Sequence, residues 1–266
     1  QAVALGRLPP VALRLPLRPA ISDPARMGLR PGRHGGELRL LMGRSKDVRQ
    51  LVVYGYTRLV GYDRNYRLAP DILERIEVDK GRIFTFHLRQ GHRWSDGHPF
   101  TAEDFRYYWE DVATDAGVLN ENVPVEMLVD GERPRFEVLR PTTVRYTWSK
   151  PNPFFLPRLA AAAPLYVYRP AHYLKRFHGR YAEPQKLAAM VKAAKRRNWV
   201  ELHYVKGQQY KNENPDLPSL QPWVLETPPP AKRFSFRRNP YFHRVDTVGR
   251  QLPYIDGVKV TVTSPK

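Results

Sequence analysis

The chain has 266 residues, with 44 Lys and Arg against 26 Asp and Glu, and its formal net charge is +18. It contains no cysteine, which excludes disulfides, Cys-ligated metal sites and thiol catalysis. A hydrophobic content of 42% and an aromatic content of 12% indicate a folded chain with a sizeable core. No apolar run approaches the roughly 18 residues that a membrane span needs, so we expect no such span.

The chain begins with Gln1 rather than Met. Signal peptidase cleaves after small residues, so a mature chain that has lost its signal peptide could begin in this way. A chain trimmed by other means would begin in the same way. We expect a periplasmic protein, secreted with its signal peptide removed, that could also associate peripherally with a membrane.

Charge is divided unevenly along the chain. Asp71 to Glu137 carries 15 acidic and 8 basic residues, whereas the remainder carries 36 basic and 11 acidic residues. The basic residues concentrate in three stretches, Gln1 to His34, Lys175 to Lys211 and Lys232 to Arg250. An acidic protein, an anionic membrane surface or nucleic acid would complement these stretches, and an ordinary solvated surface would have the same composition. No nucleic-acid-binding motif accompanies them, so a prediction of nucleic-acid binding would rest on charge alone, and we consider it unlikely.

The first 34 residues contain six prolines, at positions 9, 10, 16, 19, 24 and 31. Proline fixes φ and removes a backbone donor, so we predict no helix and no central strand here. The alternation of Val11, Leu13, Leu15 and Leu17 predicts an extended, polyproline-like arm. Such an arm is ordered only where it lies on its own domain or on a partner chain.

The remaining chain mixes strand and helix patterns. Alternating or apolar stretches predict strands at 36–42, 82–88, 136–139, 143–148, 166–168, 233–237 and 258–262. Apolar residues at 3–4 spacing predict helices at 101–112 and 185–199, the first with Thr101 as its N-cap and Asp104 as the capping partner. Residues 211–230 are predicted as a long loop. Without strict alternation of strand and helix, the pattern indicates an α/β or α+β fold.

We find no constellation of catalytic residues. The segment Gly43–Lys46 lacks the glycine spacing of a phosphate-binding loop, and no Gly-x-Ser-x-Gly elbow is present. His87, His92 and His98 surround a turn without zinc-site spacing, and we interpret them as surface histidines. The sequence therefore predicts a protein that is not an enzyme, with no cofactor and no metal.

One segment is much more specific than the rest. Residues 84–105 read FTFHLR, then a glycine, WSDG and PFTAEDF, which is a strand, a Ser-Asp-Gly turn, a proline entry and a capped helix. This segment closely resembles the extracytoplasmic solute-binding proteins of ABC transporters, in the peptide- and nickel-binding family 5. Similar stretches follow the family's order elsewhere in the chain: Gly35–Arg39, Tyr56–Leu59, Leu68–Pro70, Ile72–Glu74, Arg238–Tyr241 and Leu252–Asp256. The signature residues, to which we assign structural roles, are Trp94, Asp96, Gly97, Thr101, Asp104, Asn239 and Pro240.

The resemblance implies an α/β, type II periplasmic-binding-protein-like fold, in which two lobes close by hinge motion on a ligand. It implies a discontinuous first lobe at residues 35–55 and 150–266, with an inserted small α+β accessory domain at 56–149. The Pro/Arg-rich extended arm at 1–34 would precede them. Family chains are considerably longer, and their second lobe follows the stretch that ends here, so we expect the second lobe to be missing.

The resemblance also suggests a cleft wall on the first lobe. It would include Arg44, Ser45, Tyr54, Tyr56 and Trp223, although for each of them the residues favour a structural role over a binding role. We predict a non-catalytic, oligopeptide-type solute-binding protein of an ABC importer, or an N-terminal fragment of one. Its partners would be a peptide or other small solute and the ABC permease. The alternative is a truncated half recruited as an extrinsic structural subunit of a membrane-associated complex, docked by its basic face and its arm.

Overall fold

The computed structural model describes residues 3, 5–6, 8–115, 117–118 and 123–263. The strands are β1 (Ala20–Ser22), β2 (Glu37–Met42), β3 (Val60–Tyr62), β4 (Leu68–Pro70), β5 (Leu73–Asp79), β6 (Ile83–Leu88), β7 (Arg135–Arg140), β8 (Thr143–Thr147), β9 (Trp223–Leu225), β10 (Arg233–Arg238), β11 (Arg244–Asp246) and β12 (Gly257–Val262). The α-helices are α1 (Val11–Arg14), α2 (Gln50–Gly55), α3 (Ala102–Arg106), α4 (Phe155–Leu159), α5 (Ala171–Leu174), α6 (Pro184–Ala193) and α7 (Trp199–Lys206). Turns of 3₁₀ helix cover Ala25–Met27, Ser45–Arg49, Val125–Met127 and Lys175–Phe177, and a π-helix covers Tyr107–Ala113. None of the helices in the described ranges has the length and apolar character to cross a membrane.

The chain divides into two compact units. The first comprises residues 1–57, 89–99 and 211–266, and the second comprises residues 58–88 and 100–210. This partition differs from the predicted division in three main respects. Residues 150–210 belong to the second unit instead of lying with the sheet of the first lobe. Residues 89–99, predicted in the accessory domain, belong to the first unit, and so does the arm at 1–34.

The first unit is built on a four-stranded sheet with the strand order β2-β12-β10-β9. β2 and β12 are parallel, whereas β10 is antiparallel to both of its neighbours. Because successive side chains alternate between faces, Phe234 and Phe236 of β10 and Val258 and Val260 of β12 share one face. They pack there in a buried cluster that includes Leu51 of α2, so the core lies on one side of the sheet.

The arm is anchored on this first unit, and the prediction that it contains no helix is wrong. Pro10 immediately precedes α1, a position where proline is tolerated because the first turn of a helix has no partner for the missing N–H. The Arg14 guanidinium is buried and donates to the Pro240 carbonyl at 2.6 Å. The Leu17 N–H donates to the Gln90 carbonyl at 2.9 Å, and β1 then pairs in parallel with β11.

The second unit contains an antiparallel sheet with the strand order β5-β6-β8-β7. Its core is aromatic, and Phe155 of α4 lies at the centre of it. The Phe155 ring stacks on Phe86 at 5.8 Å between ring centroids and contacts Trp148 at 4.9 Å. Arg58 donates from Nε to the Ala161 carbonyl at 2.9 Å. These contacts explain why residues 150–210 pack with the inserted segment.

The predicted capping of α3 is confirmed. Thr101 Oγ1 accepts a hydrogen bond from the Glu103 N–H at 3.3 Å, and Asp104 Oδ2 accepts one from the Thr101 N–H at 3.0 Å. The helix then continues as the π-helix rather than as regular α-helix. The other oxygen of Asp104 accepts from the Ala171 N–H at 3.1 Å, which joins α3 to the chain beyond residue 150.

Three predicted elements differ from the structure. The helix predicted at 185–199 is α6, which is followed by Lys195 with a φ of 52°, and a second helix, α7, begins with Asn198 as its N-cap. Residues 166–168 form no strand, because the Tyr166 and Tyr168 carbonyls accept hydrogen bonds from the Arg169 guanidinium instead of from a neighbouring strand. The predicted loop at 211–230 contains β9, which pairs with β10.

Candidate ligand-binding site

The candidate site is a cavity of about 400 Å³ in the first unit. Its walls come from α2, from the start of β9, from residues 252–255 and from the arm between residues 22 and 32. Most of the lining side chains are apolar or aromatic, and the cations among them are Arg30 and Arg244. A concave apolar surface with a small number of polar groups is the usual form of a small-molecule site.

α2 presents Tyr54 to the cavity. Leu51 and Val52 face the core, so Tyr54 lies on the other side of the helix and its side chain is 60% exposed. The helix ends because Tyr56 adopts the left-handed conformation, with a φ of 38°. A Cβ atom on Gly55 would lie 2.9 Å from the Pro222 ring, so only glycine allows this close approach of α2 to the chain before β9.

Trp223 opens β9 and forms the facing wall. Its backbone pairs with Arg238 of β10, and its indole Nε1–H donates to the Ile255 carbonyl at 3.2 Å. This hydrogen bond satisfies the one polar atom of the ring, so the rest of the ring offers an apolar surface. The position of the ring is therefore set by the sheet and by residues 252–255 together.

Tyr254 is held at the cavity by a buried carboxylate. Its hydroxyl donates to Asp246 Oδ2 at 2.7 Å, and Arg250 Nε donates to the same oxygen at 2.9 Å. Burial alone would raise the pKa of the Asp246 carboxyl. The hydrogen bonds from Tyr254, from the backbone N–H groups of Arg250 and Val248 and from the Arg250 side chain together outweigh burial and lower the pKa below its usual value. Burial, followed by the neighbouring Asp246, raises the pKa of the Tyr254 hydroxyl. At neutral pH the pair is an ionised carboxylate and a phenol that donates to it.

The arm supplies the remaining wall through residues 23–33, which we call the strap. Before the strap, β1 pairs with β11. After it, His34 Nε2 donates to the Gln251 carbonyl at 2.7 Å, and the Gly35 N–H donates to the Tyr254 carbonyl at 3.0 Å. The strap is thus tied down at both ends, beside the cavity.

The two cations of the cavity differ in their surroundings. Arg244 donates from Nη2 to the Tyr56 carbonyl at 2.8 Å, and its guanidinium lies 5.5 Å from the centre of the Phe242 ring. Arg30, on the strap, is exposed. Together with the aromatic rings, these groups can hold a solute by apolar contact and by charge-assisted hydrogen bonds.

The structure brings together two of the five residues predicted for the cleft wall. Tyr54 and Trp223 line the cavity. Arg44 and Ser45 lie at the start of a 3₁₀ turn, with the Arg44 side chain 72% exposed, and neither lines the cavity. Tyr56 contributes its carbonyl to Arg244 and does not line the cavity either. A ligand-binding role for all five stays a prediction.

The signature residues near the turn have local structural contacts. Trp94 is fully buried, and Asp96 Oδ1 accepts from the His98 N–H at 3.1 Å. Gly97 has a φ of 92°, and a Cβ atom there would lie 2.8 Å from the Tyr241 hydroxyl. The turn therefore requires glycine at this position for both conformation and space.

The later signature residues organise the chain between β10 and β11. Asn239 Nδ2 donates to the Gln221 carbonyl at 2.9 Å, and its Oδ1 accepts from the Tyr241 N–H at 2.9 Å. The Pro240 carbonyl accepts from Arg14 and from Gln251 Nε2. These contacts connect the arm, β9 and the segment after β11.

The three histidines near the turn are not all at the surface. His92 is buried, and its ring lies 4.9 Å from that of His243, so the interpretation of His92 as a surface histidine is wrong. His98 is exposed and His87 is partly exposed. Within the described ranges we find no group of three or more metal-ligating side chains placed to hold a metal ion.

Sequence reasoning missed the contribution of the strap, of Arg244 and of Tyr254 to the cavity. The arm was predicted to lie either on its own domain or on a partner chain, because a proline-rich segment carries no local signal of what it packs against. Tyr254 belongs to the stretch Leu252–Asp256 that was singled out as a family motif, and this motif was the one signal that could have pointed to it.

A concave, mostly apolar cavity of this kind is typical of a small-molecule site. The family described as "Bacterial extracellular solute-binding proteins, family 5 Middle" matches residues 67–266, and the chain belongs to this family. The predicted family and the predicted α/β, periplasmic-binding-protein-like fold are thereby confirmed.

Among curated proteins, the chain is similar to the periplasmic alpha-galactoside-binding protein of Rhizobium meliloti, with 30% identity over 96% of this chain and 37% of that protein. Among solved structures, it is similar to an oligopeptide-binding protein OppA, with 31% identity and a TM-score of 0.86 over 99% of this chain and 40% of that one. It is also similar to the periplasmic binding protein MelB of Agrobacterium fabrum in complex with stachyose, with 25% identity and a TM-score of 0.73 over 98% and 39% of the two chains. The chain thus spans about 40% of the length of these relatives.

Proposed function

We propose that this chain is a ligand-binding part of a periplasmic solute-binding protein that delivers an oligopeptide-type solute to the permease of an ABC importer. The cavity carries the proposal, because it combines the aromatic faces of Tyr54 and Trp223 with two guanidinium groups. A short peptide offers matching chemistry, since it has apolar side chains along its length and a charged group at each end. The similarity to OppA, which is named for oligopeptide binding, supports this ligand class.

An α-galactoside is the second candidate for the ligand. A curated relative that aligns with 96% of the chain is named for α-galactoside binding, and MelB was solved with stachyose. Aromatic rings such as Tyr54 and Trp223 also provide the flat apolar surface on which a sugar ring can pack. The two candidates differ in charge, which makes them separable by experiment.

The periplasmic location is inferred from the α-galactoside-binding protein of Rhizobium meliloti and from MelB, both of which are named as periplasmic. Removal of a signal peptide and docking to a permease are parts of the same proposal. The alternative of an extrinsic structural subunit finds no support in the relatives described above, since each of them is named as a binding protein.

The test is isothermal titration calorimetry of the chain against a library of tri- to pentapeptides, with raffinose and stachyose as sugar probes. We expect peptide binding that the Tyr54→Ala substitution weakens roughly tenfold, because an aromatic contact in a binding site is lost. Tyr66→Ala is the matched control, since Tyr66 is 87% exposed and lies in the second unit. Binding of the sugars alone would select the second candidate, and heat from neither class of probe would refute the proposal.

A further inference from the structure

We propose that the strap is part of the binding site and that Arg30 binds a carboxylate at the end of an otherwise apolar solute. This inference rests on the proposed function, because it names the chemistry that the cavity recognises. It assigns a recognition role to the proline-rich arm, for which the sequence indicated only docking or packing.

The first argument is that the strap has a defined position beside the cavity. It is anchored before residue 23 by the pairing of β1 with β11 and after residue 33 by the hydrogen bond from His34 to Gln251. Within the strap, Gly32 lies directly against Tyr254, where a Cβ atom would come within 2.5 Å of the ring. A segment held at both ends, with Gly32 against Tyr254 close to the second end, can present a side chain to a ligand at low entropic cost.

The second argument is the charge of the lining. Arg30 and Arg244 line the cavity, and none of the described lining residues is Asp or Glu. The nearby carboxylate of Asp246 already accepts hydrogen bonds from Tyr254 and Arg250. Arg30 itself is exposed, so a carboxylate on the solute could reach it without competition from an Asp or Glu of the described lining.

The third argument is the contrast between Arg30 and its surroundings. Leu29 beside it is 58% exposed, and Pro24 and Pro253 also line the cavity, so the guanidinium stands at the edge of an apolar surface. A planar guanidinium can bind both oxygens of a carboxylate, whereas a neutral sugar would leave its charge unmatched. An apolar solute that ends in a carboxylate satisfies both parts of the site.

The experiment compares each peptide of the library in two forms, with a free C-terminal carboxylate and as the C-terminal amide. Calorimetry would be done on the full chain, on Arg30→Gln and on Arg30→Lys, with Arg33→Gln as the matched control. Arg33 is also an exposed arginine of the strap, but it does not line the cavity. Circular dichroism would show that each variant is folded.

We expect the wild-type chain and Arg33→Gln to bind the acid roughly tenfold more tightly than the amide, as for a charge-assisted hydrogen bond. Arg30→Gln should bind both forms alike, and Arg30→Lys should keep part of the preference. Equal binding of acid and amide by the wild-type chain, or a preference that survives Arg30→Gln, would overturn the inference and leave peptide binding intact. If no peptide binds, the proposed function fails first and the inference fails with it.

Discussion

Replacement of His203 by glutamine should make the stability of the chain less sensitive to acid. His203 is buried in the second unit, and its Nε2 lies 2.7 Å from the Tyr107 hydroxyl. Its Nδ1 has no hydrogen-bond partner among the described residues. Burial, with smaller contributions from the positive charges of His178 and Arg169, lowers the pKa of His203 to about 3. Protonation of both ring nitrogens would therefore place a positive charge in the core, where the Nδ1 proton has no acceptor among the described residues.

The magnitude follows from the difference between this pKa and that of an unfolded histidine, about 6.5. Between these two values the unfolded chain binds a proton that the folded chain does not bind, so the free energy of unfolding falls as the pH falls. The contribution of His203 is fully present above pH ~6.5 and is lost progressively down to pH ~3. Between pH 7 and pH 5 the expected loss is about 2 kcal/mol.

The assay is urea unfolding at several pH values from 7 to 5, followed by tryptophan fluorescence. His203→Gln keeps a side chain that can hydrogen-bond to Tyr107 and removes the titrating group. His98→Gln, at an exposed histidine, should retain the wild-type pH dependence. Wild type and His203→Gln with the same pH dependence would refute the reasoning that burial of a neutral His203 makes folding sensitive to acid.

Two further pairs of substitutions test the packing. Phe155→Ala should lower the free energy of unfolding by about 3–5 kcal/mol, because Phe155 is fully buried. Phe154→Ala should change the free energy of unfolding by less than ~0.5 kcal/mol, because Phe154 is 70% exposed. Equal losses in urea unfolding would contradict the aromatic core. Gly131→Ala, at a φ of 79° with no atom within 4 Å of the added Cβ, should cost about 1–2 kcal/mol of unfolding free energy through backbone strain alone. Gly97→Ala should lower the free energy of unfolding further than Gly131→Ala does, because its Cβ also contacts Tyr241. If Gly97→Ala melts at the same temperature as Gly131→Ala or higher, the turn adapts to the added Cβ and this reasoning is wrong.

Part of the candidate site could be predicted from the sequence. Tyr54 and Trp223 were assigned to the cleft wall through the family resemblance, and both line the cavity. Tyr56, Arg44 and Ser45 were assigned on the same basis and lie outside its lining. The resemblance indicates which region of the chain forms the cleft wall. Which side chains of that region face the cavity depends on the rotation of α2 about its axis and on the residue at which α2 ends.

The domain boundaries illustrate the same limit. The family resemblance implied a boundary near residue 150, whereas the chain from 150 to 210 lies in the second unit. The reason is the insertion of Phe155 into the aromatic core beside Phe86, together with the hydrogen bond that the Ala171 N–H donates to the Asp104 carboxylate. Neither contact has a signature in composition.

By itself the sequence determined many of the local elements and the family. The alternation of β6, the capping of α3 by Thr101 and Asp104 and the ordered family motifs depend on neighbouring residues, and neighbours along the chain are visible in the sequence. Only the tertiary structure decided that the arm pairs with β11 and that the strap lies beside Trp223 and Tyr254. Those contacts join residues that are far apart in the chain. They form only if the free energy gained by packing exceeds the entropic cost of ordering the segment. That difference depends on the packing partners and cannot be read from a local sequence pattern.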